Sequence, residues 1–323
     1  MIVRWGLEAL PGVLEQLSMR DPLLISTERW RDRDLPVARR FYGVRPHAEI
    51  GGVRDAVEAS AGADGLVALG GGSAIDTSKA VSSETGLPIV SIPTTYSGAE
   101  WTQRFGMRDP EAGIKRGGGG AHTLAIVYDP RLTLDLPQAE SAGTAMNALA
   151  HCAEALYAAG RSDETDRKAL AGAKLISDAL PEVIDDGGDL QARRRLLEGA
   201  MHAGAALRAG MGIGHAMAQA LGGRYGLPHG TMNAVSLPPA LRYNREVAAA
   251  ETARFGEAMQ HGDAIERTSE LGGLAGSTRL REYGVPREDL AILSEAIAER
   301  APAKANPRPA PPEAVLELLG EAW

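Results

Sequence analysis

Three histidines and one asparagine stand in two apolar stretches of this 323-residue chain. One stretch, Asn147 to Tyr157, reads NALAHCAEALY; the other, His215 to Gly230, reads HAMAQALGGRYGLPHG. Asn147 and His151 are four residues apart, so on a helix both side chains leave the same face. In the second stretch a helical run from His215 meets a Gly222-Gly223 break, and His229 follows in a Leu-Pro-His-Gly turn. Imidazoles gathered in this way suit coordination of a divalent cation or proton transfer near neutral pH. A single histidine in such a setting is more often a hydrogen-bonded core residue. Three of them with a carboxamide, among Ala, Leu and Gly, favour one converging site. His47, His122, His202 and His261 lack such companions and read as surface or structural residues.

A second candidate is GGGSAIDTSK, Gly70 to Lys79. It follows the apolar run Gly65 to Leu69 and opens a helical pattern from Ala74. Glycines between a strand and a helix let an anion approach the backbone, where N–H groups and the helix dipole favour negative charge. A tight strand-to-helix turn would look the same. The spacing is not GxGxxG with an acid placed beyond it, so the ordinary dinucleotide fingerprint is absent. Pro93-Thr94-Thr95-Tyr96-Ser97-Gly98 also follows an apolar run. Two hydroxyl-bearing loops at the carboxyl ends of parallel strands make a crevice of the kind nucleotides occupy.

Two domains must position these groups. Apolar runs at Met1 to Trp5, Leu23 to Ser26, Gly65 to Leu69, Pro88 to Ile92 and Ala125 to Tyr128 read as buried strands. Helical periods lie between several of them, at Gly6 to Leu17, Val53 to Ala61 and after Ala74. The charged segment Glu28 to Arg40 reads as a solvated helix or loop. Strands alternating with helices predict a parallel α/β sheet over residues 1–137. After Pro137 nearly all strand signal stops. Ser141 to Ala159, Asp163 to Leu180, Gln191 to Ala209, Gly214 to Gly222 and Ala248 to His261 read as helices, which predicts an all-α domain over residues 138–323. The Pro-rich stretch Ala301 to Pro312 reads as irregular, before a short helix from Pro312 to Trp323.

Composition excludes several classes. Lys and Arg total 34 against 42 Asp and Glu, a formal charge of -8, and no basic cluster suggests nucleic-acid binding. No run of about twenty apolar residues predicts a membrane span. The N-terminus has no apolar segment behind a basic start, so no signal peptide is expected. The single cysteine, Cys152, precludes an internal disulfide and fits a reducing, cytoplasmic setting.

Taken in order, GGGSAIDTSK, PTTYSGAEWT, NALAHCAEALY, HAMAQALGGRYGLPHG and the late ANPRP, Ala305 to Pro309, resemble the iron-containing (group III) alcohol dehydrogenase family. PTTYSGAE and Asn147 resemble its maleylacetate reductase branch. The resemblance implies a dinucleotide domain of the dehydroquinate-synthase type and a helical metal and substrate domain. It implies NAD(H) or NADP(H), often a divalent metal such as Fe²⁺ or Zn²⁺, a small-molecule substrate and a homodimer. By residue, it implies that Gly71, Gly72 and Ser73, with Asp76, hold the cofactor, that Thr94, Thr95 and Ser97 line it, and that Lys115 lies near its ribose. Asn147, His151, His215 and His229 fall at the metal positions, where the family has one aspartate and three histidines. The same three histidines are the implied catalytic residues.

Three departures qualify the resemblance. Asn147 brings no negative charge, so cation affinity should fall below that of an aspartate site. Gln219 stands where many members have histidine, and glutamine cannot act as an acid. Thr27 replaces the acid expected on the adenosine ribose, and Arg29, Arg31 and Arg33 follow, which leaves NADH and NADPH both open. Arg104, Lys115 and Arg116 are candidate cations for a carboxylated substrate. The activity implied is hydride transfer to a small carbonyl or enoyl compound, by a metal-free reductase or a metal-dependent alcohol dehydrogenase. A dehydroquinate-synthase-like cyclase and a repurposed non-catalytic member are the remaining readings.

Overall fold

A computed structural model describes residues 1–323 and separates them into two compact units. The first holds residues 1–95 and 99–135; the second holds residues 96–98 and 136–323.

The first unit is built on six parallel strands: β1 (Ile2–Trp5), β2 (Leu23–Ile25), β3 (Arg39–Phe41), β4 (Leu66–Gly70), β5 (Ile89–Pro93) and, after a hairpin, β8 (Thr123–Tyr128). Their order across the sheet is β1-β8-β5-β4-β2-β3. Helices α1 (Leu10–Gln16), α2 (Ile50–Ala59) and α3 (Gly72–Thr85) complete the layers. Side chains alternate across each strand, so the central ones feed two cores. Val67, Leu69, Val90 and Ile92 join Leu10 and Leu14 on one side, while Leu66, Ala68 and Ile89 join Ala56 and Ile75 on the other. Burial on both faces is why these strands read as continuous apolar runs.

The chain leaves β2 outward to β3 and returns to β4 on the other side of β2. Ligands of parallel sheets bind where the order reverses, beyond the carboxyl ends of the strands. The Gly-rich turn follows β4 at that point. Register sets Gly70 of β4 against Pro93 of β5, so the loops after both strands emerge side by side.

The charged segment Glu28 to Arg40 is loop apart from a short 3-10 turn, Glu28–Trp30, and its last two residues, which enter edge strand β3. One part of this unit departs from the sequence reading. Residues 105–118 form an antiparallel hairpin of β6 (Phe105–Asp109) and β7 (Ile114–Gly118), which no apolar run announced. Phe105 and Met107 pack it on Ala48, Val53 and Ala80. Asp76 and Lys79 of α3 tie it down: Asp76 accepts from the Gly106 amide at 3.2 Å, and the buried Lys79 ammonium donates to the Arg104 carbonyl at 2.8 Å.

Asp129 closes the sheet after β8. It accepts from the Leu7 and Arg131 amides at 3.0 and 2.9 Å and from the Arg131 guanidinium. Burial pushes its carboxyl up, but the hydrogen bonds from Arg131 and the backbone outweigh that and hold it below the usual value. A depressed carboxylate stabilises the fold above its unfolded pKa, and that stabilisation is lost as pH falls through the folded one. Asp129→Asn should therefore lower unfolding free energy by roughly 1–2 kcal/mol at neutral pH. Denaturant unfolding across a pH series should show the gap from wild type closing below about pH 4. A gap constant with pH would contradict this account.

The second unit is helical: α4 (Gln138–Ala155), α5 (Asp163–Asp185), α6 (Leu190–Ala206), α7 (Ile213–Tyr225), α8 (His229–Asn244), α9 (Ala249–Ala258), α10 (Ala264–Gly273), α11 (Leu290–Ala298), the single turn α12 (Ala301–Lys304) and α13 (Pro312–Ala322). Caps explain several starts. Ser162 and Thr165 form a reciprocal capping pair at α5, and Asp189 and Asp263 cap α6 and α10. Helix α4 is buried on almost every side from Ser141 to Ala155 and packs against α5, α6 and α8. A helix apolar all round belongs in the middle of a bundle.

Here too the boundaries differ from the sequence reading. Gly222 and Gly223 do not break α7, which runs on to Tyr225 and stops at Gly226 in the left-handed conformation. His229 is the first residue of α8 rather than part of a turn. No helix of the protein is long and apolar enough to cross a membrane.

Candidate active site

In the first unit the Gly-rich turn is shaped for close approach. Gly70 has φ +150, and a Cβ there would stand 2.8 Å from the Ala74 Cβ. Gly71 lies under the Thr95 side chain, where a Cβ would meet Thr95 Cγ2 at 2.8 Å. The loops after β4 and β5 are thus in contact, and Thr94 is buried beside them with its amide on the Gly70 carbonyl at 3.0 Å. No side chain caps α3, so its first N–H groups keep their capacity for an anion. Ser73 is partly committed, since its hydroxyl accepts from the His47 amide at 2.9 Å. Asp76 is turned to the hairpin and Lys79. Lys115 stands opposite Arg108 on the hairpin, with its side chain laid over Gly106.

In the second unit the four expected residues do come together. Asn147 and His151 project from α4, His215 from the first turn of α7, and His229 starts α8. The rings of His151 and His215 stack at 4.2 Å with 16° between planes, and His215 lies 6.1 Å from His229. All of Asn147, His151 and His215 are buried. Ser97, a residue of this unit, offers its carbonyl to Asn147 Nδ2 at 2.9 Å.

Two partners were not anticipated. Glu154 is fully buried and takes His215 Nδ1 at 2.6 Å. The same carboxylate accepts from the amides of Gly212 at 2.6 Å, Gly214 at 2.9 Å and His215 at 3.3 Å. Four donors satisfy a charge that burial would otherwise make costly. Facing a carboxylate, His215 Nδ1 carries the proton, so its Nε2 is a bare lone pair, buried and without a partner. The signal for Glu154 was the one carboxylate in the run Asn147 to Tyr157, three residues after His151. The other partner is Asn233, buried on α8 one helical turn after His229. Its Nδ2 donates to Asn147 Oδ1 at 2.8 Å and to the His229 carbonyl at 3.1 Å, and lies 3.2 Å from His229 Nε2. Its position mirrors the Asn147–His151 spacing, which was the cue available in the sequence.

His151 is held neutral. Burial pushes its pKa well below the ordinary value, and His215 and His229 beside it add to the effect. Of the other histidines, His122 and His261 meet local partners by their backbone or ring, Ser82 and Asp263 respectively, and none joins the cluster.

The donor set does not fit a resident metal ion. No group of three or more His, Cys, Asp or Glu side chains is arranged to hold one. The lone pair of His151 Nε2 meets the Asn147 amide at 3.3 Å, that of His229 Nε2 meets the Asn233 amide, and the nearby carboxylate is spent on the far side of His215. No negative ligand faces the space an ion would need.

Comparison with known proteins agrees with this architecture. The sequence pattern described as Iron-containing alcohol dehydrogenase matches residues 11–130, and that of the Fe-containing alcohol dehydrogenase family, C-terminal, matches residues 141–323. The chain belongs to the iron-containing alcohol dehydrogenase family. It is therefore an oxidoreductase, and its six-stranded parallel sheet and helical unit are the fold of that family. Maleylacetate reductase 1 of Cupriavidus pinatubonensis is 34% identical over 98% of this chain and 92% of its own. The maleylacetate reductase of Burkholderia cepacia is 38% identical over 88% of this chain and 82% of its own. The crystal structure of maleylacetate reductase from Rhizobium sp. strain MTP-10005 superimposes with a TM-score of 0.90 at 32% identity, covering 100% of this chain and 95% of that one.

Proposed function

We propose that this family member is an NAD(P)H-dependent reductase of a small unsaturated keto acid of the maleylacetate type, working without a metal ion. The observation that carries the reading is His215: a buried imidazole with a carboxylate on Nδ1 and an unpartnered lone pair on Nε2. That is the dyad arrangement in which one nitrogen is fixed and the other exchanges a proton with substrate.

The turn after β4 suits the cofactor's pyrophosphate, with backbone amides at Gly71, Gly72 and Ser73 and the uncapped start of α3 as its anion site. Thr94 and Thr95 supply hydroxyls, and Lys115 a cation, for the rest of the dinucleotide. Asp76 acts on the cofactor indirectly, by fixing the hairpin that bears Lys115. When bound, NAD(P)H supplies the hydride.

Hydride arriving at a carbonyl carbon, or at an alkene carbon conjugated to it, leaves negative charge on the substrate oxygen. His215 meets that charge. Protonated at Nε2, its positive charge is balanced by Glu154; it gives the proton to the oxygen and returns to the neutral ring. His151, kept neutral by burial and by its two neighbours, offers only its Nδ1–H as a hydrogen-bond donor. Arg104, Lys115 and Arg116, the candidate cations for a carboxylated substrate, lie on or next to the hairpin of the first unit, where Arg116 is paired with Asp109. The homodimer and the cytoplasmic setting belong to the same reading, for which family membership and the lone buried thiol are the support.

Purified protein mixed with maleylacetate should oxidise NADH or NADPH, followed by nicotinamide absorbance, equally well with and without a chelator. No oxidation of either cofactor would overturn the assignment. Activity that disappears on chelation would favour a metal-dependent alcohol dehydrogenase, and product formed without net cofactor oxidation would favour a cyclase.

A further inference from the structure

We infer that Asn233 is a positioning residue, which with Asn147 forms an amide pair that stands where the family would place an ion and fixes the tautomers of His151 and His229. The inference rests on the metal-free reading above and adds to it a residue and a role.

The orientation of each carboxamide is settled by a backbone carbonyl. Asn147 Nδ2 points at the Ser97 carbonyl at 2.9 Å, where an oxygen would be repelled. Its Oδ1 is then the group that faces α8, and Asn233 Nδ2 donates to it at 2.8 Å. Asn233 Nδ2 likewise meets the His229 carbonyl at 3.1 Å, which excludes the flipped amide there as well. The imidazoles follow. His151 Nε2 faces the second N–H of Asn147 at 3.3 Å and can only accept, so its proton sits on Nδ1. His229 Nε2, at 3.2 Å, shares in a three-centre bond the Asn233 proton that also meets the His229 carbonyl; facing an NH₂ that has no lone pair, it too is an acceptor. Glu154 imposes the same tautomer on His215. All three rings therefore carry Nδ1–H, and two of the three Nε2 lone pairs are occupied by amide protons.

Three polar atoms of this cluster are left buried without a partner: His151 Nδ1, His215 Nε2 and Asn233 Oδ1. On the tautomers just derived they are one donor and two acceptors. Unmet buried groups are costly unless a ligand or water completes them. A substrate oxygen takes the donor at His151; His215 Nε2 accepts from a hydroxyl while its ring is neutral and becomes a donor when the dyad is protonated. Asn233 keeps the donor on the correct side by holding Asn147, and Asn147 keeps it by holding His151.

The test reads the rings directly in the full-length protein. With histidine labelled by ¹⁵N and resonances assigned by single substitutions, two-bond ¹H–¹⁵N correlations in wild type should show His151 and His229 protonated at Nδ1 and bare at Nε2. Asn233→Asp, of nearly the same shape, cannot donate, and the His229 proton should move to Nε2. Asn233→Ala should leave His229 in mixed tautomers and lower kcat by about a hundredfold, as expected for small misplacement of a reacting group, with KM for NAD(P)H unchanged. A wild-type His151 or His229 protonated at Nε2 would overturn the proposal. So would stoichiometric metal whose removal shifts these resonances, or an Asn233→Ala protein with wild-type tautomers and kcat. The tautomers are read in the wild-type protein, the variants serving there only to assign its resonances. That reading needs no turnover, so correct tautomers in a protein inert toward maleylacetate would sink the substrate assignment and leave this inference standing.

Discussion

Glutamine in place of Glu154 should lower kcat by about 10³-fold, the range in which losing the partner of a general acid–base imidazole falls. Glu154 does two things at once. It holds the His215 proton on Nδ1, and it gives a charged His215 a counter-ion inside the protein. A glutamine oxygen could still accept one hydrogen bond, but its NH₂ would confront amides of Gly212, Gly214 and His215 that now donate to the carboxylate. Both the ring and the start of α7 should therefore shift. His215→Ala should cost about as much, and the double variant little more than either alone, because groups that act as a unit are non-additive. Steady-state kinetics on the three variants checks this, with circular dichroism to show that each is folded. Losses that multiply in the double variant would mean that the two residues act separately.

Gly230→Ala should destabilise the helical unit by about 3 kcal/mol, the upper end for overpacking. A Cβ at Gly230 would lie 2.4 Å from the Gly143 carbonyl oxygen and 2.5 Å from its carbon, both backbone atoms of α4 that cannot swing aside. Gly143→Ala should cost less, since its Cβ would come no nearer than 3.2 Å, to the Thr231 amide. The crossing matters beyond packing. Asn147 lies one turn beyond Gly143 on α4, and Asn233 about one turn beyond Gly230 on α8, so the backbone contact sets the 2.8 Å between the two amides. Denaturant midpoints should rank wild type above Gly143→Ala above Gly230→Ala, with kcat in the same order. A Gly230→Ala protein as stable as wild type would mean that the helices part without cost.

The strands of the sheet were legible because burial on both faces leaves only apolar residues in β4, and in β5 all but Ser91. The β6–β7 hairpin was not, because Gly106, Gly117 and Gly118 give it no alternating pattern and its anchors, Asp76 and Lys79, lie in another element. Helix α8 escaped notice for a related reason. It opens with His-Gly and carries Pro238 and Pro239, each a poor helix former whose conformation here is dictated by its neighbours. The cluster residues were legible as residues, through the i,i+4 spacing of Asn147 and His151. What they bond to was not. Glu154 and Asn233 act only through the crossing of α4 with α7 and α8, a long-range contact that no local period encodes.

Cys152 follows His151 on α4, fully buried, with its sulfur against Gly172 of α5, and burial pushes its thiol far up from the usual value. It is the protein's one sulfhydryl. A thiolate must form before any disulfide reagent can react, so the folded chain stays silent until α4 parts from α5. The rate at which the protein takes up such a reagent is thus a clock for the opening of the helix that carries Asn147 and His151, readable in a test tube without adding a label to the site.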